Sequence, residues 1–164
     1  MTDWFQKGAE MTKRISGIAR LKSVPHMNVR PKRKISRIAE ILDEEDVVSR
    51  LLLEVADTDE SRARGLMGRK EIPRICGMMF DGLSGGGYFW MKNCLMPIDV
   101  MFINDAGFIT KIYTMNPDGG KKRYEYDDED VSAIEVAAGY CKDHGILRGF
   151  GVETREISNG GKNG

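Results

Sequence analysis

The run Ile98-Asp99-Val100-Met101-Phe102-Ile103 is apolar on both sides of an extended strand, which predicts a strand in a sheet covered on each face. Just before it, Tyr88, Trp90 and Lys92 alternate with Phe89, Met91 and Asn93, a strand over 88–93 that carries a charge among large hydrophobes. Pro97 has no amide hydrogen for a sheet ladder, so it marks a strand edge or a tight corner between the two. Further strands are predicted at 77–80, 98–103, 108–115 and 131–136, with the last one or two inside 146–157. The spacing from Arg33 to Ala56 fits a helix or a hairpin running into a strand at 47–55, and its β-branched content favours the hairpin. Asp57, with Glu60 three residues on, predicts the capped start of a short helix whose inner face is Ala63, Leu66 and Met67. Asn104-Asp105-Ala106-Gly107 reads as a hairpin turn, 124–130 as an exposed acidic loop, and 138–143 as a turn of helix ending at Gly145. Short strands with frequent turn signals predict a mainly-β domain, a sandwich or barrel with one or two short helices.

The first 34 residues have a different pattern. Trp4, Met11, Ile15 and Ile18 recur at helical spacing within 3–21, so an amphipathic helix is expected there. Residues 22–34 hold two prolines and five basic groups without a period, an extended linker. The predicted organisation is an arm over 1–34, a β-sandwich domain over 35–157 and a flexible tail over 158–164.

Charge sharpens that division. The 164 residues are neutral in total, with 25 basic and 25 acidic groups. Residues 1–37 nevertheless hold ten Lys or Arg against Asp3 and Glu10, net +8, which leaves net −8 on residues 38–164. The three cysteines, Cys76, Cys94 and Cys141, form no CxxC pair and suit a reducing compartment. No apolar run approaches the roughly 20 residues that span a bilayer, and the first twenty residues lack the apolar core of a signal peptide. The expected setting is the cytoplasm, or a particle assembled there, with no membrane partner.

Three word-like segments recur in one order: Glu54-Val55-Ala56-Asp57-Thr58 continuing through Glu60, Arg62, Arg64, Gly65-Leu66-Met67 and Arg69; Gly77-Met78-Met79-Phe80 with Phe89-Trp90-Met91-Lys92-Asn93 and Pro97-Ile98-Asp99; and Ile134-Glu135-Val136-Ala137-Ala138-Gly139. Over residues 47–157 the chain resembles the domain of unknown function 192 family of bacteria, archaea and phages. The resemblance implies a compact β-sandwich similar to a jelly roll, and it implies no settled biochemical activity. Cys94 stands where that family usually has threonine, and the basic arm stands where many members have an export signal.

Six residues are candidates for a ligand pocket because they place charge or a large ring within apolar context: Arg62, Arg64, Trp90, Lys92, Asp99 and Glu135. In one reading they converge on a polar pocket for a small anion or a peptide carboxylate. In the other, which we favour on sequence grounds, they close internal ion pairs such as Arg62 with Asp99 or Glu54. No catalytic set stands out. Cys141 and His144 could share a helical face, but a surface histidine beside a core cysteine is the plainer reading. The run Asp127 to Asp130 lacks the spacing of a calcium loop, and no metal or cofactor is expected.

The arm is what a domain core explains least. Trp4, Met11, Ile15 and Ile18 would lie on a protein partner while Arg30, Lys32, Arg33 and Lys34 cross an acidic surface, including that of another copy. The same basic groups with Arg37 would also suit unspecific, salt-sensitive nucleic-acid binding. The leading expectation is a non-catalytic binding and assembly module held in a larger complex, such as a phage particle. The rival is a small-ligand protein or enzyme built on Arg62, Lys92, Asp99 and Glu135.

Overall fold

A computed structural model describes residues 34–44 and 46–157. The predicted helix over 3–21, the linker except Lys34, and the tail over 158–164 lie outside them; Lys34 is exposed. Nine strands and two short helices follow in order: β1 Arg37–Asp43, β2 Asp46–Ala56, α1 Asp59–Arg64, β3 Cys76–Asp81, β4 Gly87–Trp90, β5 Ile98–Asn104, β6 Ile109–Met115, β7 Arg123–Tyr126, β8 Asp130–Ala137, α2 Tyr140–Asp143 and β9 Gly151–Glu156. Seven strands form one mixed sheet in the order β6-β5-β8-β3-β2-β1-β9, and β4 with β7 forms a second of two strands. The fold is mainly β and sandwich-like, as the turn-punctuated short strands predict.

The ambiguous stretch after Arg33 is the hairpin, β1 against β2 in antiparallel register from Arg37 opposite Leu53. Strand β2 then pairs in parallel with β3, a crossover that needs a connection of a dozen or more residues, and α1 lies within it. Phe108 bridges Gly151, so the two edge strands of the large sheet meet at one end. Gly107, at φ +81°, closes the β5–β6 turn in a conformation that L side chains rarely adopt.

Alternation along β5 divides the core. Met101 and Ile103 pack in a cluster with Leu51, Leu53, Met79, Ile134 and Val136. Val100 and Phe102 pack on the opposite face with Met78, Phe80, Leu66, Met91 and Tyr124, beneath β4, β7 and α1. Both faces of β5 are buried, which is why its sequence is apolar throughout.

Two local expectations are corrected. The cap of α1 is Thr58, whose hydroxyl accepts from the Ser61 amide at 3.2 Å while the Ser61 hydroxyl receives the Thr58 amide at 2.9 Å. The box starts one residue later than Asp57 and uses serine in place of Glu60. The acidic stretch after Lys122 holds strand β7, because Tyr124 turns into the core and Tyr126 packs on Phe102 while the charges point outward.

Candidate functional site

The second core face opens at one place into a cleft of about 440 Å³. One wall is α1 and the residues after it, from Arg62 to Met67; the other is β4 with Tyr126; Phe80 and Glu135 rise from the sheet between them. Cys94 closes one end and Gly82 to Ser84 the other. The walls are tied together by the Gly68 amide, which donates to the Asn93 carbonyl at 2.9 Å. Asn93 itself turns the chain after β4 at φ +58°.

Arg62 holds its wall in place. Its guanidinium donates to the carbonyls of Asp57 at 3.0 Å and Asp81 at 2.6 Å and to the Asp59 carboxylate at 2.7 Å. These bonds take three of its five N–H donors and pin α1 to the end of β3. The pairings of Arg62 with Asp99 or Glu54 are not made. Arg64 lies on the same wall and is exposed. Phe80, Phe89 and Phe102 pack edge to face, with centroids at 4.9 and 5.2 Å, and Tyr126 stacks on Phe102 at 5.4 Å. These rings make a rigid apolar wall.

Glu135 is the unusual group. On β8 it stands opposite Met78 of β3 and Val100 of β5, and it is 6% exposed. Among the described residues none donates a hydrogen bond to its carboxyl. Arg69, whose charge acts on it, is engaged with Glu54 through two bonds of 2.8 and 2.7 Å. Burial pushes the Glu135 carboxyl up to about 8, against a smaller lowering by Arg69. An ionised carboxylate here would keep only part of its hydration and no counter-ion of its own, so burial favours the neutral acid. Burial, followed by the charge of Glu135, pushes the Cys94 thiol up to about 11.

Of the six pocket candidates, Arg62, Arg64, Trp90 and Glu135 line this cleft. Lys92 lies outside its lining; it is exposed, with its ammonium 5.1 Å from the Trp90 ring centre. Asp99 lies on the other core face, because it pairs across the sheet with Val136, one position on from Glu135. There it accepts from the Thr114 hydroxyl at 2.7 Å and from the Cys141 amide at 3.1 Å, supplying α2 with the cap that Gly139 lacks. The Cys141–His144 pair is not formed. His144 Nδ1 lies 2.9 Å from the Tyr140 carbonyl, and the Cys141 thiol is pushed up to about 12 by burial and by Asp99. Arg69 and Tyr126 were not among the candidates, although Arg69 belongs to a quoted motif and Tyr126 sits in a stretch whose charges hid a strand.

Among the described residues no group of three or more His, Cys, Asp or Glu is placed to hold a metal ion, and no helix is long and apolar enough to cross a membrane.

Comparison with known proteins bears on the fold. A crystal structure of a protein of unknown function from Novosphingobium aromaticivorans DSM 12444 matches with a TM-score of 0.66 at 24% identity, over 71% of this chain and 83% of that one. A candidate transcription regulator from Sinorhizobium meliloti 1021 matches with a TM-score of 0.65 at 27% identity, over 73% of this chain and 92% of that one. No curated protein matches. The family profile described as DUF192, Uncharacterized ACR, COG1430, matches residues 40–154, which include every strand that frames the cleft and the Glu135 that opens into it; the chain belongs to that family.

Proposed function

We propose that the domain is a small-ligand-binding module whose ligand sits in the cleft over Glu135. The observation that carries this reading is Glu135, a residue 6% exposed whose carboxyl has no hydrogen-bond donor among the described residues, lining a cleft walled by Arg62, Arg64 and Trp90. A volume of about 440 Å³ lies within the range of small-molecule sites, roughly 300–1,000 Å³. The reading is one of binding and not of turnover. It is tested by screening a fragment library against the full chain by amide NMR. Hits should move resonances of Phe80, Trp90, Tyr126 and Glu135 together, and a library whose hits all map elsewhere contradicts the reading.

A second reading concerns the arm, and the +8 charge of residues 1–37 against −8 on the remainder supports it. In this reading the arm docks the domain to a protein partner, another copy or a larger assembly, in the cytoplasm or in a phage particle formed there. The descriptions of the family and of the solved relatives name no such role, so the reading rests on the arm alone. Deleting residues 1–34 should leave a folded domain that no longer joins its complex; full retention of association removes it. Nucleic acid as the arm's partner instead predicts affinity that collapses between low and moderate salt.

A further inference from the structure

Resting on the reading of the cleft as a ligand site, we infer that its ligand is a small, flat, uncharged molecule whose amide-type edge, one N–H donor beside one carbonyl acceptor, pairs with the Glu135 carboxyl.

A neutral carboxyl presents one O–H donor and one carbonyl acceptor side by side, and the complement is the cis-amide edge found in carboxamides, lactams and pyrimidine- or purine-type rings. Two parallel hydrogen bonds would then satisfy a group that receives none from the described residues. The rings of Phe80, Phe89 and Tyr126 supply apolar surface for a flat body.

The surrounding charges decide against the alternatives. Arg62 with Asp59 and Arg69 with Glu54 are neutral pairs, and exposed Arg64 adds one positive charge, so the environment disfavours a cationic ligand. A carboxylate ligand would set two acceptors against the single donor of Glu135, leaving oxygen facing oxygen. The titratable groups around Glu135 are Glu54 on β2 and Arg69 after α1 and, lining the cleft with it, Asp59, Arg62 and Arg64 on α1, Tyr88 on β4, Cys94 after β4 and Tyr126 on β7. The thiol of Cys94, pushed up to about 11, stays protonated through the range tested below.

The test uses three probes of one shape, benzamide, benzamidine and benzoate, titrated into the full chain by amide NMR at pH 6.5 and pH 9. Benzamide should bind the cleft best of the three at pH 6.5. Its affinity should fall about tenfold at pH 9, where a carboxyl with a midpoint near 8 is about one-tenth neutral. Glu135→Gln keeps one donor and one acceptor, so it should bind benzamide within a few-fold of the wild type and lose the pH dependence. Glu135→Leu should not bind it. Tighter cleft binding of benzamidine or benzoate than of benzamide at pH 6.5, or benzamide binding equal at both pH values in the wild type, overturns the inference while leaving the cleft a ligand site. Silence of all three probes when the fragment library yields cleft ligands also overturns it. Silence of probes and library together overturns the parent reading as well.

Discussion

Glu54 and Glu135 stand on the same face of the sheet, each directly across from Met78, and only Glu54 holds a guanidinium. Two carboxyls on the strands that flank β3 are thereby given different surroundings. Glu54 accepts both ends of the Arg69 fork, whereas Glu135 is left to the cleft. The asymmetry follows from where the chain after α1 places Arg69, and four predictions come from it and from the walls around it.

Glu135 links stability to pH. Its folded midpoint, about 8, lies above the ordinary 4.5, so the folded state holds a proton that the unfolded chain releases. Its contribution is complete below about pH 4.5 and is lost progressively as pH rises through 8. Against Glu135→Gln, which does not titrate, the wild type should lose about 1.4 kcal/mol per pH unit across that window. Urea denaturation of both proteins at pH 5, 6, 7 and 8 measures it.

Removing Arg69 exposes the other half of the arrangement. Arg69→Met takes the fork from Glu54, which is 7% exposed, and should destabilise the domain by less than the roughly 3–5 kcal/mol of a fully buried pair, because the Arg69 side chain is 22% exposed. Adding Glu54→Gln should recover a large part of the loss. Because Arg69 lowers the Glu135 midpoint, the single variant should also titrate Glu135 at still higher pH.

The cleft wall depends on the start of α1. Thr58→Ala removes the acceptor for the Ser61 amide and should cost about 1 kcal/mol, read as a lower thermal midpoint. Ligand affinity should fall with it, since Arg62 and Arg64 ride on that helix.

Gly87 gives the opposite wall its close fit. A methyl group there would lie 2.7 Å from Tyr126 Cζ and 2.9 Å from Cε1, and the ring is held by its stack on Phe102. Gly87→Ala should therefore cost about 1–3 kcal/mol by overpacking, and it should reposition Tyr126 at the cleft. Thermal unfolding and the benzamide titration together detect both effects.

Much of this architecture is legible in residue order because burial on two faces leaves a strong signal. Ile98 to Ile103 could hardly be anything but a covered central strand, and Asn104 to Gly107 carries its own turn chemistry. Strand β7 was hidden because only Tyr124 and Tyr126 face inward, and four residues are too few for alternation to outweigh the acidic run that follows. The cleft was half legible. That charges within apolar words must matter follows from desolvation, and Arg62, Arg64, Trp90 and Glu135 do meet. Which carboxyl would be paired does not follow, because it depends on register: one position along the strand separates the face of Glu135 from that of Val136 and its partner Asp99.

The protonation of Glu135 is read most directly by a pH titration of its side-chain carboxyl carbon by NMR, with the full chain free and saturated with benzamide. The expected midpoint is near 8 in the free protein, displaced upward when the amide edge holds the neutral acid. A midpoint near 4.5, or one that benzamide leaves unmoved while bound in the cleft, would contradict it.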